Sequence, residues 1–167
     1  MSPTVLVLLQ FAILAYALVA GVFLAFSDFI MRALSLTGGA GGAEAMQNIN
    51  REVFRWIFMA LFLGMAAGSL VIAGYGSLSL DGTAGTLIVL GAVIYLFGCF
   101  GVTVVFNVPM HEALAGVDLS QDATREYWLR SYVPRWTFWN SVRTTAAAVA
   151  SALLLFGLLL LAQGQQA

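Results

Sequence analysis

Four long apolar stretches, at 4–34, 52–75, 83–107 and 136–162, leave this chain few ways to fold. A hydrocarbon core about 30 Å thick is crossed by a helix of about 20 apolar residues, and each stretch reaches or approaches that length. The charge balance points the same way. Only 9% of the 167 residues are charged and 61% are hydrophobic, against about 25% charged in an ordinary soluble domain. So few charges cannot cover a water-exposed surface. The reading is all-α: a single integral membrane domain over 1–167, built as a four-transmembrane-helix bundle with a short amphipathic interfacial helix before the last span.

The connecting segments support this division. Gly38-Gly39-Ala40-Gly41-Gly42 breaks the first helix and reads as a flexible link. The second helix starts polar near Glu44 and turns apolar from Val53. Asp81-Gly82 marks a tight turn, and Pro109 stops or kinks the third helix. Ser120 is placed to cap an amphipathic helix through Tyr132, in which Tyr127 and Trp128 stand among Arg125, Glu126 and Arg130, a composition suited to the membrane interface. Pro134 fits the first turn of the last helix. Ala15-Tyr16-Ala17 resembles a signal-peptide cleavage site, but no basic residue precedes the run and its apolar character continues past Phe26, so the first helix is expected to be retained.

Arg32, Arg51 and Arg55 flank the first loop, Arg125, Arg130, Arg135 and Arg143 flank the third, and the second loop has none. The positive-inside rule then puts loops one and three in the cytoplasm and both termini outside, in what would be a bacterial inner membrane. Seven basic residues, all Arg, against eight acids form no stripe for a phosphate backbone, so nucleic acid is excluded as a partner. Membrane lipid and a hydrophobic or aromatic small molecule are the expected partners. Small residues recur every fourth position at Ala17, Gly21 and Ala25, at Ala60, Gly64 and Gly68, and at Thr144, Ala148 and Ala152. They are expected to pack the bundle, with a homo-oligomer seam as the alternative.

Ionisable and amide side chains within apolar runs are costly and call for explanation. Asp28 lies four residues before Arg32 and is placed to pair with it; the competing reading is a functional acid. Gln47 and Asn50 share a face at the polar start of the second helix. Asn107 precedes Pro109 and is placed either to repair the kink or to bind a ligand. His111, the only histidine, stands beside Glu112 and titrates near neutrality. Trp136, Trp139, Asn140 and Arg143 fall along one side of the last helix, as an aromatic belt with a snorkelling arginine or as the wall of a site. The topology brings all of them to one end of the bundle, which suits a flat or hydrophobic small molecule. One histidine and the single, apolar-flanked Cys99 supply neither bis-histidine haem ligation nor a structural zinc site, and a metal would need Asp28, Glu112 and His111 together or a second subunit.

At these residues the sequence resembles the anthrone-oxygenase-like family of small four-helix membrane proteins. The resemblance rests on Ser27-Asp28, on Met46-Gln47 with Asn50, on Asn107-x-Pro109 with Glu112, and on Trp136, Trp139, Asn140 and Arg143. It implies oxidation of an anthrone to an anthraquinone by dioxygen, without metal, flavin or haem. His111 stands where many relatives have Asn. On this reading His111 or Glu112 is the base and Arg143 stabilises the anion. Asp28, Gln47, Asn50, Asn107, Trp136, Trp139 and Asn140 bind the substrate. The contrasting reading is a non-catalytic membrane protein that binds a lipid or apolar ligand or assists a partner.

Overall fold

The computed structural model describes residues 2–53, 55 and 57–164, with Asp122 described by its backbone alone; positions 54 and 56, inside the second apolar stretch, lie outside this set. Four helices are long and apolar enough to cross a membrane: α1 (Pro3–Ser35), α3 (Ile57–Ser79), α4 (Gly82–Ala115) and α5 (Ala123–Gly164). The amphipathic α2 (Gly41–Glu52) lies between the first two. No strand occurs among the described residues. The chain is thus a multi-pass membrane protein of the four-helix class.

Why these segments are helices is clear at their ends. Ser2 Oγ accepts from Val5 N at 3.4 Å and Pro3 occupies the first turn, where its missing N–H costs nothing. Along α1, Leu9, Ala12, Tyr16, Val19 and Phe23 point inward at helical spacing, whereas Val7, Leu14 and Leu18 remain exposed. Both faces are apolar, as expected of a helix with lipid on one side and protein on the other.

The last span is the hub of the bundle: α1 and α4 pack along α5, while α3 packs mainly on α4 and less on α1. Close approach comes from small residues. A Cβ on Gly98 would lie 2.7 Å from Ala146 Cβ, and one on Gly157 would lie 2.7 Å from Ile88 Cγ1, so the α4–α5 seam tolerates nothing larger there. These are not the stripes singled out by four-residue spacing. Ala17, Gly21, Ala60, Gly64, Ala148 and Ala152 are exposed, and Gly21 and Gly64 have nothing within 4 Å. In a helix apolar all round, spacing identifies a face but not the direction in which it points.

The loop-one and loop-three end, rich in arginine, departs from regular helix. π-helical segments occur at Phe26–Ile30 in α1, at Tyr95–Gly101 and Thr103–Asn107 in α4, and at Trp128–Tyr132 in α5. Each inserts a residue into the ladder and turns the following side chains to a new face. The α4 helix passes through Pro109 to Ala115, because the π turn opens the ladder just where the proline ring would meet a carbonyl and where no N–H is available. The amphipathic segment Asp122–Tyr127 likewise leads straight into the last span through a π turn.

Two expected local features take other forms. Ser120 does not cap α5; its Oγ and N–H donate to Asp118 Oδ1 at 2.8 and 3.0 Å, and Thr124 Oγ1 donates to Asp118 O at 2.6 Å. The Ser120 N–H, together with the hydroxyl, holds the Asp118 carboxyl below its ordinary range. In the glycine-rich link only Gly39 takes a left-handed conformation (φ 56°), and Gly41 and Gly42 already belong to α2.

Candidate functional site

A cavity of about 210 Å³ opens between the spans at the arginine-rich end. Apolar cavities of about 150 Å³ already admit benzene, and this one is larger and walled by Phe23, Phe26, Phe58, Phe62, Phe100 and Trp136. Among the described residues its one cationic side chain is Arg143, which is 3% exposed.

Arg143 is held by geometry rather than by an acid. Its Nη2 donates to Asn140 Oδ1 at 2.6 Å and its Nη1 to Thr103 Oγ1 at 3.3 Å, while Nε has no partner. The guanidinium carbon stands 4.1 Å from the Phe23 ring centre and 5.5 Å from that of Trp136, both within cation–π range. The ion pairs among the described residues are Arg55–Glu52 and Arg130–Glu126, both on the surface. Among the described residues no carboxylate therefore balances Arg143, although a buried cation is ordinarily paired.

The π turn in α1 explains how Asn140 can hold it. Asn140 Nδ2 donates to Phe23 O at 2.6 Å and to Ser27 Oγ at 2.7 Å, and Ser141 Oγ reaches the same hydroxyl at 3.1 Å. Irregular winding at Phe26–Ile30 presents the carbonyl and hydroxyl of α1 to α5. The same winding shifts Arg32 away from Asp28: both are exposed and no ion pair forms between them.

The remaining sequence candidates separate into four groups. His111 and Asn50 line the cavity beside Arg143 and Trp136. Asn50 Nδ2 also reaches Tyr132 OH at 3.5 Å, and Trp136 Nε1–H donates to His111 Nε2 at 2.8 Å. That bond assigns the histidine as neutral with its proton on Nδ1. Asn107 is fully buried with neither amide atom satisfied. Gln47 instead ties α2 to the end of α4, donating to Leu114 O at 2.8 Å and Val117 O at 3.3 Å. Trp139 lies outside the cavity, stacked on Phe106 with ring centres 3.6 Å apart. Asp28 and Glu112 are exposed and line no part of it. Among the described residues no three His, Cys, Asp or Glu side chains converge.

Sequence reasoning missed Thr103 and Phe23 as partners of Arg143. Thr103 lies four residues before Asn107, a spacing that offered a signal; the rings of α1 offered none, since aromatics are frequent throughout the chain.

Fold and site together define a multi-pass membrane protein with a small aromatic cavity around one unbalanced guanidinium. A profile of the anthrone oxygenase family matches residues 51–153, well over half of the chain, and the chain belongs to that family. The matched region contains Thr103, Asn107, His111, Trp136, Asn140 and Arg143; Ser27, Gln47 and Asn50 precede it. No curated protein and no solved structure matches.

Proposed function

We propose that this protein is a membrane oxygenase that binds an electron-rich aromatic of the anthrone or quinol type as its anion and lets it react with dioxygen. The observation that carries this reading is the buried Arg143, which has no carboxylate partner among the described residues and is set among aromatic rings. An anionic oxygen at the guanidinium would supply the missing charge through strong, charge-assisted hydrogen bonds. Membership of the anthrone oxygenase family supports the oxidative part.

For an anthrone the chemistry asks little of the protein. A base removes the ring CH₂ proton, and the resulting anion passes one electron to dioxygen. Radical and superoxide then combine to a peroxide anion that is protonated. Loss of the second C–H proton breaks the O–O bond and releases water, so anthrone and dioxygen give anthraquinone and water. Arg143 would stabilise the anion, Asn140 and Thr103 would fix the guanidinium, and the apolar walls would exclude water. His111 is the base within the cavity, since Glu112 lies outside it. Its free lone pair is at Nε2, where Trp136 donates, so proton uptake requires the indole to release that atom.

That hydrogen bond also favours a second reading, a non-catalytic binder of aromatic anions, because it leaves the cavity without a free base. Oxygen uptake separates the two. Purified protein in nanodiscs should accelerate anthrone oxidation under air, and Arg143→Gln should lower the rate by about 10²-fold, as loss of an oxyanion donor does. A rate equal to the spontaneous one for every aromatic tested would leave the binder; loss of turnover with a chelator would contradict a mechanism built on these side chains alone.

A further inference from the structure

Toward the arginine-rich water face, described side chains pack over the cavity. Met31, Ala43, Met46, Leu114, Trp128, Tyr132 and Trp136 form a second buried cluster there, distinct from the main core, and Met46 and Trp136 are also cavity wall. Trp128 and Tyr132 stack with ring centres 5.2 Å apart, and Gln47 pins α2 across the end of α4. Among the described residues this end is a packed apolar plug.

The sides of the cavity differ. Three lining side chains are exposed on the surface that faces lipid, Val22 on α1 at 41% and, more so, Leu63 on α3 and Val104 on α4 at 51% and 50%. The two spans pack together along Gly82–Ile94 and Tyr95–Gly101, but Thr103–Asn107 packs on α5 instead. The helices thus diverge where the second π segment begins, leaving a gap at the depth of Thr103 and Arg143.

We infer that ligands reach Arg143 sideways from the bilayer, through the gap between α3 and α4 framed by Leu63 and Val104, and that the plug keeps the site from direct contact with water. This rests on the binding reading above and narrows it: the substrate class is an aromatic that partitions into the membrane and carries a weakly acidic group small enough to pass between two aliphatic side chains. A permanently charged or strongly hydrated aromatic is excluded by the route, even where Arg143 would accept its anion. The acid travels neutral through lipid and, on reaching the guanidinium, gives its proton to His111 Nε2 as the Trp136 indole releases that nitrogen.

Access can be read without catalysis or ligand binding, so failure here is distinguishable from failure of the proposed function. In a Cys99→Ser background, Thr103→Cys places one thiol at the cavity wall, and its labelling in nanodiscs is timed with two reagents. N-phenylmaleimide dissolves in lipid, and a sulfonated methanethiosulfonate stays in water. The lipid-soluble reagent should label the thiol while the sulfonated one does not. Adding Leu63→Trp, or separately Val104→Trp, should slow labelling by about tenfold, a barrier increase of about 1.4 kcal/mol. Leu70→Trp, equally lipid-facing but away from the cavity, should leave the rate unchanged. Equal labelling by the water-confined reagent, no labelling by either, or indifference to both portal substitutions would overturn the inference.

Discussion

Replacing Asn140 with Asp tests whether the unbalanced charge of Arg143 is what binds a ligand. Asn140 Oδ1 already sits 2.6 Å from Arg143 Nη2, so one carboxylate oxygen at this position meets the guanidinium, while the other loses the amide's bond to Phe23 O and must turn from that carbonyl toward the Ser27 hydroxyl, which can donate to it. The carboxylate would supply internally the counter-charge that a ligand otherwise brings. Two unit charges about 4 Å apart attract by about 4 kcal/mol at an effective dielectric constant of about 20, or nearly three orders of magnitude in affinity at about 1.4 kcal/mol per decade. The ligand's own desolvation is common to wild type and variant and cancels, whereas the guanidinium's remaining N–H donors can still bond an anion beside the aspartate, which reduces the loss. Affinity for an aromatic anion should therefore fall between about 30-fold and about 1000-fold. The assay is titration of nanodisc-embedded protein with 2-naphthoate, followed by tryptophan fluorescence, beside its neutral methyl ester. The ester should bind both proteins within about threefold, since its contacts are apolar. Equal binding of naphthoate by wild type and Asn140→Asp would refute the counter-charge argument.

Gln47→Leu should cost about 1–2 kcal/mol in denaturant unfolding, from two lost hydrogen bonds to the end of α4, and should leave naphthoate affinity nearly unchanged. Trp139→Ala removes a stacked pair worth about 0.5–1.5 kcal/mol beyond its buried area; stability should fall without loss of ligand binding, whereas a binding defect would return Trp139 to the site. Gly157→Leu should destabilise by about 1–3 kcal/mol or more through overpacking against Ile88, while Gly21→Leu, in open space, should be tolerated in thermal unfolding. Reporter fusions at the C terminus and in the first loop should show the terminus outside and the loop in the cytoplasm; an active cytoplasmic reporter at the terminus would reverse the orientation.

The spans were legible because a bilayer imposes a length and forbids stray charge, conditions that a sequence meets or fails residue by residue. Buried polar positions were legible for the same reason: Asn107, Asn140 and Arg143 are conspicuous in apolar runs, and the structure buries all three, although of these Arg143 alone lines the cavity. Two kinds of information were not. Which face of an all-apolar helix turns inward depends on its neighbours, so Ala148 and Ala147 look alike in sequence although the first is exposed and the second buried. The π segments have no marker in residue type, yet they decide that Asp28 misses Arg32 and that the ladder survives Pro109. His111 and Glu112 part in role for a simpler reason: adjacent residues lie about 100° apart around the regular helix that holds them, so one lines the cavity and the other is exposed.

The central claim is that an aromatic anion sits against Arg143, and a structure of the protein with an anthrone bound in the absence of oxygen tests it most directly. The account predicts the anionic oxygen within about 3.2 Å of a guanidinium nitrogen, with the rings between Phe62 and Trp136. A ligand found instead in the apolar groove between α1 and α3 around Phe11 and Gly64, with Arg143 still held by Asn140 and Thr103 alone, would contradict it.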